Sequence, residues 1–394
     1  MAHETAISTK LPSRRQKNEF YRYYAGYPVN FALCAIEQIE ASTNSVILDP
    51  WNGSGTTAAA CASLGMACHG YDVNPVMVHL GRARSASDVH FSEAREAIAT
   101  VQARVPVTAK VKMADIGIAL RSIPPISDWA RSAAIAALFP FARAQMVAAK
   151  TKNPSWFKSG TKLDMTPIAA DKFFENWHRL LHELHAWRAE GSVRLPAKIE
   201  IELGDSRDPI GNGTKFDAVI TSPPYLTRLD YVQATLPEYL LTKELDHVSD
   251  IKTLRDLMIG SPLTSDRVIH EVDSLPQVIK DVLSTISCHP SKASSTYYYK
   301  FFATYFVDLQ TSLRNISCAM KPEAQACIVV QSSHYKEIEV NLGGSIIALG
   351  QKFGLHHQLT YDFDGKRSMS EVNSRAHALA RKPKHESAIF LKRA

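Results

Sequence analysis

Residues 45–49, Ser-Val-Ile-Leu-Asp, run straight into Pro50-Trp51-Asn52-Gly53-Ser54-Gly55 and then into the helix-forming stretch Thr56 to Leu64, which Gly65 ends. A β-rich run, a glycine loop and a helix in unbroken succession mark the start of an α/β unit. The next β-rich run, 67–72, follows at once. Further runs at 198–204, 216–221, 326–331, 357–363 and 386–392 are bounded by turn residues, and several are followed by helix-like stretches. This alternation predicts an α/β fold of Rossmann-like type, with a seven-stranded, mostly parallel sheet.

Two long connections interrupt the pattern. More than a hundred residues separate the second and third β-rich runs, far beyond an ordinary connection. That span is rich in Ala, Leu, Trp and Arg, and Lys172 to Glu190 has helical periodicity, so residues 91–195 read as a helical insertion. A second insertion, 235–300, precedes a helix predicted over Tyr305 to Met320. The main domain is then discontinuous, formed by 1–90 and 196–394.

The glycine loop Asp49-Pro50-Trp51-Asn52-Gly53-Ser54-Gly55-Thr56-Thr57 lies where a strand ends and a helix begins. Glycines there let backbone approach a ligand, and the helix N-terminus offers free N–H groups. A phosphate loop of the GxxxxGK[ST] type needs a lysine, and none occurs between Asp49 and Thr57. The dinucleotide fingerprint GxGxxG fails because Ala58 stands at its third glycine. About twenty residues on, Asp72 closes the second run, where a carboxylate can accept from both ribose hydroxyls of a nucleoside. Asp205, in Gly204-Asp205-Ser206-Arg207 after the third run, is either an acceptor for an adenine amino group or a plain cap.

After Phe216-Asp217-Ala218-Val219-Ile220 comes Thr221-Ser222-Pro223-Pro224-Tyr225. An exocyclic amine on a nucleobase is a weak nucleophile, because its lone pair is delocalised into the ring. A side-chain oxygen and a backbone carbonyl that accept its two N–H bonds shift it toward a tetrahedral, nucleophilic geometry. Ser222 and the Pro223 carbonyl suit that task. Pro223 and Pro224 bring no competing N–H and keep the backbone stiff. Tyr225 offers a face on which an extruded base can stack. Asp230-Tyr231, just beyond, either line the same pocket or support the fold.

The remaining composition narrows the class. The chain of 394 residues is 45% hydrophobic and 21% charged, as in an ordinary globular protein, and its net charge of +6 leans toward a polyanionic partner. No stretch approaches the ~20 apolar residues of a membrane span. Met1-Ala2-His3-Glu4-Thr5 lacks the blocks of a signal peptide, so the expected compartment is the cytoplasm. Cysteines at 34, 61, 68, 288, 318 and 327 form no CxxC pair, which predicts reduced thiols and no zinc site. None of them follows a proline, so the Pro-Cys nucleophile typical of cytosine carbon-5 methylation is missing.

Taken in order, these segments resemble the N4-cytosine and N6-adenine DNA methyltransferases that use S-adenosylmethionine. DPxxGSGTT is similar to their cofactor loop, GYDVNP at 70–75 to their ribose-binding motif, GDSR to the adenine-side motif and TSPPY to the catalytic motif. Leu313-Arg314-Asn315, Met320-Lys321-Pro322 and Ile328 through Tyr335 resemble the helix, turn and fifth strand that follow. The resemblance implies a class I methyltransferase fold and S-adenosylmethionine as cofactor, held by Asp49, Pro50, Gly53, Gly55, Thr56, Asp72, Asp205 and Thr221. It implies Ser222, Pro223, Pro224 and Tyr225 as catalytic residues, and double-stranded DNA as partner, in the nucleoid. A companion restriction nuclease is allowed by it.

The family mostly uses Ser-Pro-Pro-Tyr for cytosine N4, and Asp-Pro-Pro-Tyr or Asn-Pro-Pro-Tyr for adenine and other targets, so Ser222 favours cytosine. The alternatives are adenine N6, an RNA base amine, or a nucleic-acid binder that keeps the fold without turnover. In the family, this motif order resembles the arrangement with a target-recognition region between the two motifs, which is where 91–195 falls. Residues 129–163 carry no Asp or Glu but include Arg143, Lys150, Lys152 and Lys158, with Trp156 interleaved. That suits phosphates and unstacked bases, or else a solvated basic face. Arg367 and Arg375 belong to a second basic run near the C-terminus. Phe20 to Pro28 either closes over the methionine end of the cofactor or forms an aromatic core patch, and Tyr297 to Phe302 either flanks the base pocket or packs as core.

Overall fold

A computed structural model describes residues 20–21, 26–148, 167–189, 198–226, 230–243, 245, 250–261, 271–364 and 385–394. Seven strands form one sheet: β1 (Val46–Asp49), β2 (Ala67–Asp72), β3 (Ile199–Leu203), β4 (Phe216–Thr221), β5 (Met320–Gln331), β6 (Leu355–Asp364) and β7 (His385–Arg393). Their order is β6-β7-β5-β4-β1-β2-β3. The strands from β3 through β5 are parallel, and β7 is antiparallel to both β5 and β6. The order reverses between β1 and β4, so the carboxyl ends of these two strands flank a crevice, the usual ligand position in open α/β sheets. The predicted Rossmann-like sheet is thus present with all seven of its strands.

Central strands of a parallel sheet are covered on both faces and become almost wholly apolar. In β4, Phe216 and Ala218 through Thr221 are all buried. One face packs on the helices Tyr299–Ala319 and Leu342–Lys352, through Leu309, Leu313, Ile346 and Leu349. The other packs on Val29–Gln38 and Thr56–Leu64, through Phe31, Ala35, Ala58 and Ala62. The Thr56–Leu64 helix has the predicted bounds, with Gly55 and Gly65 both left-handed at its ends. Gly55, at φ +77°, tolerates no larger residue, since a Cβ would lie 2.7 Å from the Gly81 Cα.

Two boundaries differ from the sequence reading. The turn expected at Met320-Lys321-Pro322 is absorbed into β5, where Glu323 at φ 64° makes an irregularity between the Phe216↔Met320 and Ala218↔Gln325 pairs. The helix expected over Tyr305 to Met320 starts six residues earlier, at Tyr299, because a π-helical turn over Ser294–Tyr298 feeds it. Within it Phe301 and Phe302 are core residues.

Between β2 and β3 lie the helices Pro75–Ser85, Asp88–Gln102, Met113–Arg121, Asp128–Ala136, Phe139–Ala148 and Ala170–Ala189. They share a separate core that includes Phe91, Phe139, Phe173 and Trp177. Val232, Leu236 and Tyr239, from the segment after β4, enter that same core. The two long connections therefore pack on each other. Among the described residues, no helix is long and apolar enough to cross a membrane.

Candidate active site

At the carboxyl ends of the central strands lies an open cleft, about 640 Å³ counted out to its mouth. Pro50, Trp51 and Gly53 of the glycine loop line it, with Asp72, Asp205 and the whole of Ser222-Pro223-Pro224-Tyr225. Segments separated by up to 175 positions in the sequence thus meet at one surface.

Asp72 is half-buried. Its Oδ2 accepts from the Gly53 backbone N–H at 2.9 Å and its Oδ1 from that of Asn74 at 2.9 Å. Burial pushes its carboxyl up to about 7, against those two bonds, and the charge of Asp49 adds to the rise. Asn74 caps the next helix by accepting from Val76 N–H at 3.1 Å, and Pro75 starts that helix. The motif 70–75 therefore ends a strand, presents a carboxylate and starts a helix within six residues.

Asp49, Gly55, Thr56 and Thr221, expected to touch a cofactor, stand behind the cleft wall instead. The Thr221 hydroxyl donates to Asp49 Oδ1 at 2.6 Å and the Trp51 N–H to the same oxygen at 3.3 Å. Burial raises the Asp49 carboxyl to about 6, while hydrogen bonds from Thr221, Thr57 and Trp51 hold it down. These bonds tie the ends of β1 and β4 together beneath the loop. Arg84 Nη1 donates to the Thr56 hydroxyl at 2.9 Å and lies 3.3 Å from Ser54 Oγ, with its guanidinium 4.9 Å from the centre of the Trp187 ring. The helical insertion thereby braces the glycine loop.

The segment from Ser222 to Tyr225 is held from three sides. Tyr305 donates its hydroxyl to the Pro224 carbonyl at 3.0 Å, and the Tyr225 N–H donates to the Tyr231 hydroxyl at 3.1 Å. Ser333 donates to the Leu226 carbonyl. Burial, and then the charge of Glu386, push the Tyr225 phenol above its ordinary value, while a hydrogen bond with Ser222 opposes them. Tyr225 is neutral near pH 7, and its hydroxyl partners the serine. Burial raises Tyr231 to about 12. Tyr231 lines the cleft, whereas Asp230 turns away to cap Gln233 N–H at 3.0 Å and to pair with Arg255 at 2.6 Å.

Three expectations need correction or relocation. Asp205 lines the cleft, but as an acceptor oriented by its neighbour and not a free one, since Arg207 Nε and Nη2 grip it at 3.0 and 2.6 Å. Arg143 is no free phosphate contact: its guanidinium donates to Glu238 Oε1 at 2.8 Å, to the Ala234 carbonyl at 2.9 Å and to the Tyr21 hydroxyl at 3.1 Å, and Glu238 is fully buried. Burial pushes the Glu238 carboxyl up, with Arg143 opposing it. In the Phe20 to Pro28 run, Tyr21 and Tyr27 are core residues, and Tyr27 meets the Thr57 hydroxyl at 2.6 Å under the glycine loop. Lys150, Lys152, Trp156, Lys158, Arg367 and Arg375 lie outside the described residues.

Sequence reasoning missed the far wall of the cleft, Leu257-Met258-Ile259, together with Val73, Asn74 and Met77. Leu257 to Ile259 fall in the second insertion, whose only cue was an apolar tripeptide ahead of Gly260.

A family model described as DNA methylase matches residues 6–82, the part that holds the glycine loop and Asp72. The type II methyltransferase M.MvaI of Kocuria varians is 25% identical over 178 residues, which are 44% of this chain and 36% of that protein. The chain therefore matches about a third of the length of that curated relative. Among solved structures, it is similar to TrmN from Thermus thermophilus (TM-score 0.33, 8% identity, 93% of this chain and 49% of that one). The rRNA methyltransferase AviRa from Streptomyces viridochromogenes gives a TM-score of 0.29 at 13% identity, over 94% of this chain and 86% of that one. Likenesses this distant bear no weight for function. The family model and the curated relative support the N4/N6 DNA methyltransferase family for this chain.

Proposed function

We propose that this chain transfers a methyl group from S-adenosylmethionine to the exocyclic N4 amine of a cytosine flipped out of double-stranded DNA. The observation that carries the reading is that Ser222 to Tyr225, the glycine loop and Asp72 line one cleft. The residues fit the cofactor: Asp72 is a half-buried acceptor hydrogen-bonded to the glycine loop, and apolar side chains line the same cleft. Bound there, S-adenosylmethionine supplies an electrophilic sulfonium methyl, so no covalent enzyme intermediate is needed.

The chain's own part is positioning. Asp72 accepts from the ribose hydroxyls, and Pro50 and Gly53 present backbone close to the ligand. Asp49, Gly55, Thr56 and Thr221 hold that loop in place from behind. The Ser222 hydroxyl leaves its Tyr225 partner and, with the Pro223 carbonyl, accepts the two N–H bonds of the target amine. Pro224, fixed by Tyr305, keeps the carbonyl aimed, and the Tyr225 ring stacks on the base. Residues 91–195 act as the target-recognition region, since their helices brace the cofactor loop through Trp187 and carry their own core.

The test is incubation with methyl-labelled cofactor and separate DNA and RNA substrates, followed by nucleoside mass spectrometry. Label in N4-methylcytosine of DNA supports the reading. Label in N6-methyladenine, or in RNA alone, overturns the base or polymer assignment. Binding of cofactor and DNA with no transfer at all favours a non-catalytic binder.

A further inference from the structure

Arg207 ties together three parts of the chain: Asp205, the helix Tyr299–Ala319 and the Leu257 carbonyl. It receives Asp205 as a fork: Nε lies 3.0 Å from Oδ1 and 3.1 Å from Oδ2, and Nη2 lies 2.6 Å from Oδ2. Its backbone N–H also donates to Asp205 Oδ1 at 2.9 Å. Its Nη1 pairs with Asp308 Oδ2, 3.1 Å away on the helix Tyr299–Ala319. Nη2 further donates to the Leu257 carbonyl at 2.6 Å. The side chains of Arg207, Asp205 and Asp308 are 12%, 14% and 7% exposed, so the cluster is nearly closed to water. Burial disfavours the guanidinium charge, but Asp205 and Asp308 outweigh it and hold its pKa above the ordinary arginine value.

Two consequences follow from this arrangement. Each carboxylate oxygen has two lone-pair directions. On Asp205, Oδ1 already receives the backbone N–H and Nε, while Oδ2 receives Nη2 and shares Nε. Both oxygens are thus held by Arg207, which fixes how this carboxylate is turned where it lines the cleft. The bond to the Leu257 carbonyl fixes the start of the apolar wall Leu257-Met258-Ile259, across the same cleft. One guanidinium therefore orients the polar acceptor and holds the apolar face that an adenine ring would lie against.

We propose that Arg207 is the positioning residue of the adenine-binding end of this cleft, and that the second insertion, through Leu257 to Ile259, belongs to cofactor binding rather than to target recognition. This rests on the methyltransferase reading above. A lysine cannot replace Arg207, because a single ammonium cannot grip both oxygens of Asp205 and reach Asp308 and the Leu257 carbonyl together.

The experiment measures binding of S-adenosylhomocysteine and of adenosine by calorimetry, with cofactor KM and kcat, for wild type, Arg207→Met, Arg207→Lys and Asp308→Asn. Arg207→Met is expected to weaken both ligands by the same factor, about tenfold or more. Its loss should fall on the cofactor KM more than on kcat, and Arg207→Lys should not restore affinity. Asp308→Asn, which spares the Asp205 fork, should show the same pattern at smaller size. It carries the test if Arg207→Met does not fold. Wild-type affinity in Arg207→Lys and Asp308→Asn overturns the proposal, as does a loss confined to kcat. Failure of the wild-type protein to bind S-adenosylhomocysteine overturns the methyltransferase reading itself.

Discussion

Lowering the pH from 8 to 6 should weaken cofactor binding about tenfold through Asp72 alone. In the free protein the Asp72 carboxyl titrates at about 7, because burial outweighs its bonds from Gly53 and Asn74. Ribose hydroxyls that donate to the carboxylate favour its charged form, so binding lowers that pKa and releases a proton. At pH 8 about 90% of the free protein carries the ionised acid, and at pH 6 about 10%, a ratio worth about 1.4 kcal/mol. Asp49, at about 6, adds to the trend only toward the lower end of this range. Calorimetry with S-adenosylhomocysteine, repeated in buffers of different ionisation enthalpy, reads both quantities. The expected result is about half a proton released per ligand at pH 7, lost in Asp72→Asn together with the steepest part of the pH dependence. A pH-independent affinity with no proton release would show that Asp72 does not meet the ribose.

Ser222→Ala and Tyr225→Ala should each lower methyl transfer by about a hundredfold or more while calorimetry shows cofactor affinity retained, since both act on the base. Lost cofactor affinity in both would mean that the base pocket lies elsewhere. Arg84→Met removes the donor to Thr56 and Ser54 and its stacking on Trp187, and should raise the cofactor KM with a smaller change in kcat; equal KM values would show that Arg84 does not brace the loop. Arg143→Met leaves Glu238 buried without its partner and should cost about 3–5 kcal/mol in urea unfolding, with an unaltered salt dependence of DNA binding in the folded protein. For Asp49, a folded pKa of about 6 against the ordinary 3.8 means stability present at low pH and lost as pH rises through 6. Asp49→Asn should therefore raise the melting temperature of the ligand-free protein at pH 8 and leave it little changed at pH 4.

The sheet was legible because each central strand carries its own punctuation. Gly55 and Gly65 bound the first helix, Asn74 and Pro75 start the next, and the apolar run 216–221 has the composition of a strand buried on both faces. The cleft was legible to the same degree, since Asp72 and Ser222 to Tyr225 lie at strand ends, where period and turn chemistry locate them. What escaped depends on pairing across long separations. Nothing near Arg143 announces Glu238, 95 positions away, and a run without acidic residues read as a free basic face. Likewise Arg207 stands two residues from Asp205, but its other partners come from positions 257 and 308. The bulge at Glu323 hid six residues of β5 behind what looked like a turn.

In the proposed reaction one cleft holds both the cofactor and the reacting amine. A crystal structure with S-adenosylhomocysteine and a target DNA duplex is the decisive measurement. The expected result is ribose hydroxyls on Asp72, the adenine ring between Asp205 and Leu257 to Ile259, and a cytosine amine between Ser222 Oγ and the Pro223 carbonyl, facing the cofactor sulfur. A cofactor bound away from Asp72, or a base seated on any surface other than Ser222 to Tyr225, would contradict it.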